Sequence, residues 1–158
     1  MKKVISLIGL ILIVLSACNQ SVNRNLITGE YSRGDGISCD NTYIHINGEQ
    51  KNQNTFDFNS KIKVMFDEVT GFNKKDGKVY PGMSMIIVAN EKDTIGNFPD
   101  LLADLTNGTD LNPLVLNASF TTAPKYFDTT KKYKLYVKIW DKNGDGTFVY
   151  ELPFTINK

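Results

Sequence analysis

The sequence predicts an all-β protein: a two-layer antiparallel sandwich of about seven strands with one short helix near residues 98–105. Three observations predict it. Apolar residues recur at every second position through much of residues 38–158, which is the alternation of half-buried strands. Clusters of Asn, Asp and Gly interrupt these runs at short intervals and supply turn chemistry. The chain has 158 residues, 41% of them hydrophobic, which suits one domain with one sizeable core.

Taken in order, residues 18–37 are rich in Asn, Ser, Gly and Arg and poor in apolar side chains, so they read as a flexible tether. The sandwich is expected over residues 38–158. Residues 42–47, 53–58 and 114–121 are short strand candidates. Ile62, Val64 and Phe66 share one face of a strand, with Lys61, Lys63 and Asp67 on the other. Residues 83–89 are almost wholly apolar, as a central strand covered on both faces would be. Tyr133, Leu135, Val137 and Ile139 alternate with Lys134, Tyr136, Lys138 and Trp140, and Phe148, Tyr150, Leu152, Phe154 and Ile156 share one side of the last strand. Pro153 cannot donate to a ladder, which predicts an edge position for that strand. Residues 73–77, 90–93 and 141–146 read as turns. Pro99, followed by Leu101, Leu102 and Leu105, predicts one or two helical turns. This pattern resembles the small bacterial lipoproteins that carry one immunoglobulin-like module behind a tether, and the resemblance implies a binding role without supplying site residues. The Cys…Trp…Cys signature of antibody domains is missing.

The N-terminus carries a different message. Lys2 and Lys3 precede an apolar run over residues 4–15, shorter than the roughly 20 residues a spanning helix needs. Leu15-Ser16-Ala17-Cys18 follows, and it resembles the lipobox of bacterial lipoproteins. That resemblance implies a signal peptide over residues 1–17 and acylation of Cys18. Acyl chains contribute about 0.8 kcal/mol per buried methylene, so several of them hold a protein on a membrane without a spanning segment. Asn19 in place of Asp, and no acidic cluster after it, make the periplasmic face of the outer membrane the expected destination, with the cell surface as the alternative.

Composition excludes several classes. Eighteen Lys and Arg against 17 Asp and Glu leave a net charge of +1, too balanced for nucleic-acid binding. With Cys18 acylated, Cys39 has no partner for an intramolecular disulfide. Cys39 and His45 invite a nucleophile–base reading, but His45 alternates onto the polar face of its strand and no orienting third group or oxyanion site adjoins Cys39. No phosphate-binding loop, dinucleotide fingerprint or nucleophile elbow is present. The chain is therefore expected to catalyse nothing.

Two features remain as candidate sites. Asp141, Asn143, Asp145 and Gly146 match the first half of an EF-hand calcium loop, but position 12 is Leu152 where a bidentate Glu belongs. Residues 140–143 also resemble one calcium loop of C2-type sandwiches, which would need acids such as Asp67, Asp76 or Asp93 on a second loop. The plainer reading is a turn whose polar side chains satisfy the backbone. The other feature is the face made by Lys134, Tyr136, Lys138 and Trp140, where aromatic rings between cations suit a sugar ring or a partner protein. Arg33-Gly34-Asp35 has no host context as an adhesive triplet. Asp93-Thr94-Ile95 and Asp128-Thr129-Thr130 loosely match acceptor sites for O-glycosylation after export.

The expected function is thus a lipid-anchored, monomeric, non-catalytic envelope module that binds or scaffolds a protein or glycan. The alternative is a calcium-stabilised structural or adhesive module built on residues 141–145.

Overall fold

The computed structural model describes residues 20–158. The segment expected to be the signal peptide, and Cys18 itself, lie outside the described residues. Eleven strands occur among the described residues: β1 (Gln20–Arg24), β2 (Tyr31–Asp35), β3 (Asn41–Ile46), β4 (Glu49–Lys51), β5 (Thr55–Asp57), β6 (Lys61–Val69), β7 (Pro81–Ala89), β8 (Asp93–Phe98), β9 (Leu114–Thr121), β10 (Lys132–Asp141) and β11 (Thr147–Asn157). The larger sheet has the order β1-β2-β11-β10-β7-β8, with β5 added beside β11; the smaller has the order β4-β3-β6-β9. Every strand pairing is antiparallel except β5 with β11.

Period-two patterning explains the layering. β10 buries Tyr133, Leu135, Val137 and Ile139; β11 buries Phe148, Tyr150, Leu152, Phe154 and Ile156. From the other sheet, Ile62, Val64, Phe66, Leu114, Leu116 and Ala118 face them in one continuous core. Phe66 meets Phe148 and Tyr150 edge-on, with ring centroids 6.2 and 5.4 Å apart. β6 carries a bulge at its end, where Glu68 takes a left-handed φ of 52° and turns Val69 back into the core. The turns follow their residues: Asn47-Gly48 and Asp76-Gly77 both have two successive positive φ values, the geometry that matches the twist of tight hairpins.

The structure corrects the sequence expectation in several places. Residues 20–35 are not a tether. They form β1 and β2, and β2 pairs with β11 from Asp35↔Thr147 to Tyr31↔Glu151. No helix occurs among the described residues, and so none long and apolar enough to cross a membrane. Residues 98–105 instead end β8 and enter a series of turns. Leu101 N–H donates to Met83 O at 2.6 Å, and Asp100 accepts from Leu102 N–H at 2.9 Å, tying the segment to β7 before a helix can start. Lys142 holds the same carboxylate at 2.8 Å.

β11 is not an edge strand either. It lies between β10 and β2, and Pro153 falls in the interval after β2 ends opposite Glu151 and before β5 begins opposite Thr155. Its missing N–H therefore interrupts no ladder, and its carbonyl accepts from Asn54 Nδ2 at 3.1 Å. The β7 segment is central, as expected, but only Met83, Met85, Ile87 and Ala89 of its residues 83–89 are buried; Ile86 and Val88 remain half-buried on the outer face.

Phe66 is fully buried at the meeting point of the two sheets. Phe66→Ala is expected to cost about 3–5 kcal/mol in urea unfolding, while Val115→Ala on the exposed side of β9 changes stability by no more than about 0.5 kcal/mol.

Candidate functional site

The outward face of β10 sits in the middle of the larger sheet, so its side chains have neighbours on both sides. Tyr136 pairs across to Glu151 and Ile86, Lys138 to Val149 and Ser84, and Trp140 to Thr147 and Gly82. Ser84, Ile86, Tyr136, Lys138, Val149 and Glu151 surround a depression of about 330 Å³. Its floor is aliphatic and its rim is charged. Lys134 Nζ stands 5.4 Å from the centre of the Tyr136 ring and 3.4 Å from Glu151 Oε2. Burial opposes the charge on Lys134, but Tyr136 and Glu151 outweigh it and hold the ammonium above its ordinary pKa. The four expected residues thus share one face. Trp140, however, is half-buried and lies flat over Gly82, where a Cβ would overlap the indole. Gly82 has no side chain because the ring occupies that space, so Trp140 serves the sheet as well as the surface.

The 141–146 segment folds as a closed turn. Asp141 is buried, and its oxygens accept from two backbone amides: Asn73 N–H at 2.7 Å and Asn143 N–H at 2.9 Å. Asp141 N–H donates to Gly146 O at 3.0 Å. The carboxylate therefore ties the β10–β11 turn to the segment that follows β6. Gly144 packs where a Cβ would strike the Asn73 amide. Asn143 and Asp145 are exposed to solvent. Asp93 opens β8 opposite Ala89, at the far end of β7 from Asp141. Among the described residues no group of three His, Cys, Asp or Glu side chains is arranged to hold a metal ion.

Cys39 and His45 are not brought together. The Cys39 thiol donates to Asn41 O and Asp67 O, both at 3.3 Å. Burial, aided by the charges of Asp67 and Asp40, pushes the thiol up to about 11, so it is neutral near pH 7. His45 lies on β3 beside Tyr43, the rings 5.2 Å apart. Four residues of extended chain from Asn41 put it roughly 13 Å along the strand. Arg33-Gly34-Asp35 belongs to β2, paired on both sides, so it is not displayed on a loop. Thr94 and Thr129 are exposed.

One feature was invisible in the sequence. Between the β1–β2 hairpin of the larger sheet and β3–β4 of the smaller, a polar cleft opens. It consists of two hollows of about 420 and 530 Å³ that share Asn25, Glu30, Asn41 and Thr42. Glu30 is fixed there: Tyr150 OH donates to Oε1 at 2.8 Å and Asn25 Nδ2 to Oε2 at 3.4 Å. Burial first, and the Glu30 carboxylate second, push the Tyr150 phenol far above its ordinary pKa. Seven of the 18 residues lining this cleft belong to the segment whose composition reads as tether, which is why only the structure finds it.

No protein-family model matches the chain, and no curated protein matches it in sequence. Among solved structures, the chain is similar to the C-terminal domain of wzt, with a TM-score of 0.55 and 12% identity over 82% of this chain and 78% of that one. At that identity the likeness concerns the fold, a β-rich two-sheet body.

Asp141→Ala removes two accepted hydrogen bonds from backbone amides and should cost about 2–4 kcal/mol in chemical denaturation. The melting curve of Asn143→Ala should match the parent, and curves in EDTA and in millimolar calcium should overlay. Alkylation of Cys39 by iodoacetamide should be slow at pH 7–8 and rise only as the pH approaches the thiol's value of about 11; unfolding in urea should make it fast.

Proposed function

We propose that this protein is a lipid-anchored, non-catalytic binding or scaffolding module of the cell envelope, held through acylated Cys18 and presenting the outer face of β10 to a protein or glycan. The anchor rests on the lipobox resemblance of residues 15–18. The observation that carries the binding role is the depression beside Tyr136: an aliphatic floor of Ile86 and Val149, an aromatic wall, and a rim set by the Lys134–Glu151 pair. Apolar ground ringed by polar groups, with an aromatic anchor, is the make-up of a binding hot spot. We also read the topology as immunoglobulin-like. The order β11-β10-β7 corresponds to strands G, F and C, and β6 with β9 to strands B and E. The outer membrane, periplasmic side, is the location we favour.

Two measurements test this reading. Cys18→Ala should abolish incorporation of an alkyne-tagged fatty acid and move the protein out of the membrane fraction; retention of both would overturn the anchor. A photo-crosslinking amino acid at position 138 should give a discrete adduct in intact cells, while one at position 115 on the opposite sheet gives none. Tyr136→Ala should weaken that contact by about 2 kcal/mol, as truncation of a hot-spot tyrosine does. Protease sensitivity of the adduct separates a protein partner from a glycan, and equal labelling from both positions would overturn the face.

A further inference from the structure

The two sheets of the sandwich differ in width, and the consequence is chemical. In the larger sheet, β1 and β2 lie at one end, beyond β11. A face packed on a core would be apolar. Instead the inward side chains, fixed by registry with Phe148 and Tyr150 of β11, are Ser32 of β2 and Ser21 and Asn23 of β1. Across the gap, β3 and β4 offer Asn41, Thr42 and Gln50. This inward face is polar and lines a cleft.

We propose that this cleft is a binding site for a neutral oligosaccharide, distinct from the β10 face and independent of it. Its walls are dominated by side-chain amides and hydroxyls. Each amide offers a carbonyl acceptor and two N–H donors side by side, the pattern that vicinal sugar hydroxyls, themselves both donors and acceptors, can satisfy in pairs. Among the described residues, the side chains of Asn23, Asn41, Thr42 and Gln50 make no hydrogen bond within the protein. They stand ready for a ligand without breaking structure. Glu30 is locked by Tyr150 and Asn25, so its orientation is preset, and a fixed carboxylate is a strong acceptor for a sugar hydroxyl.

Charge narrows the choice. Glu30 and Asp40 both line the cleft, which disfavours an anionic ligand. Lys51, the cation on the rim, is already paired with Glu49 at 2.7 Å. Polar side chains outnumber apolar ones along the walls, which disfavours an apolar peptide. Each hollow also falls within the roughly 300–1,000 Å³ that small-ligand sites occupy. The two are contiguous through their shared residues, which favours more than one sugar unit.

The test uses the protein from residue 19 onward, since every strand pairing described lies within residues 20–158. Saturation-transfer NMR is run with maltotriose, cellotriose, xylotriose, mannotriose and chitotriose, and with trigalacturonate as the anionic control. At least one neutral trisaccharide should bind and shift the backbone amides of Asn23, Asn41 and Thr42. Asn41→Ala and Asn23→Leu should each weaken that binding about tenfold, the equivalent of roughly 1.4 kcal/mol for a lost hydrogen bond. Both residues are exposed, so their melting temperatures should match the parent. Tyr136→Ala should leave this binding unchanged, which separates the site from the β10 face. Absence of transfer to all five neutral sugars, shifts confined to β10, or stronger binding of trigalacturonate would each overturn the proposal.

Discussion

The structure depends on where β11 lies. Among the described residues it is the strand that takes three partners: β10 along most of its length on one side, and β2 followed by β5 on the other. It also delivers five inward side chains, Phe148, Tyr150, Leu152, Phe154 and Ile156, all buried. Around Phe154 gather Phe56, Phe120, Phe127 and Tyr133, with centroids 5.3 to 6.1 Å away. Without β11 the β1–β2 hairpin has no sheet to join and one wall of the core is missing. The interval between β2 and β5 is what lets a proline sit in so central a strand.

The same strand links the outer face of β10 and the cleft beside Glu30. Consecutive residues of β11 point in opposite directions. Tyr150 reaches inward and donates to Glu30, fixing the acid of the inter-sheet cleft. Glu151 reaches outward and holds Lys134 beside Tyr136. A shift of β11 by one residue would exchange the faces and dismantle both arrangements together. The rigid core therefore sets the geometry of two chemically different surfaces, one floored by aliphatic groups and ringed with charge, the other lined with amides.

Much of the fold was legible in the sequence wherever one face of a strand is buried and the other wet. β6, β10 and β11 alternate cleanly, and their inward sets are those the pattern assigns. The turn at residues 90–93 was equally readable from its polar residues. Elsewhere the signal was weak for physical reasons. β8 is exposed along most of its length, so no alternation marks it. β1 and β2 line a polar cleft, so a segment held in a sheet has the composition of a linker. Asp100 bonds β7 from outside the helical pattern that surrounds it. Of the candidate residues, the pattern correctly put Lys134, Tyr136, Lys138 and Trp140 on one face, because that follows from periodicity alone. It gave no sign that Trp140 would lie across a glycine, since that depends on which residue the neighbouring strand places opposite.

The bond between Tyr150 and Glu30 spans 120 positions of sequence, and β5 meets β11 across a gap almost as long. A chain synthesised in order thus emerges with β1 and β2 unable to find their sheet until β11 arrives. Local hairpins such as β3–β4 form early, but closure of the larger sheet is deferred until β11 is available. The topology itself leaves the larger sheet open until β11 is in place.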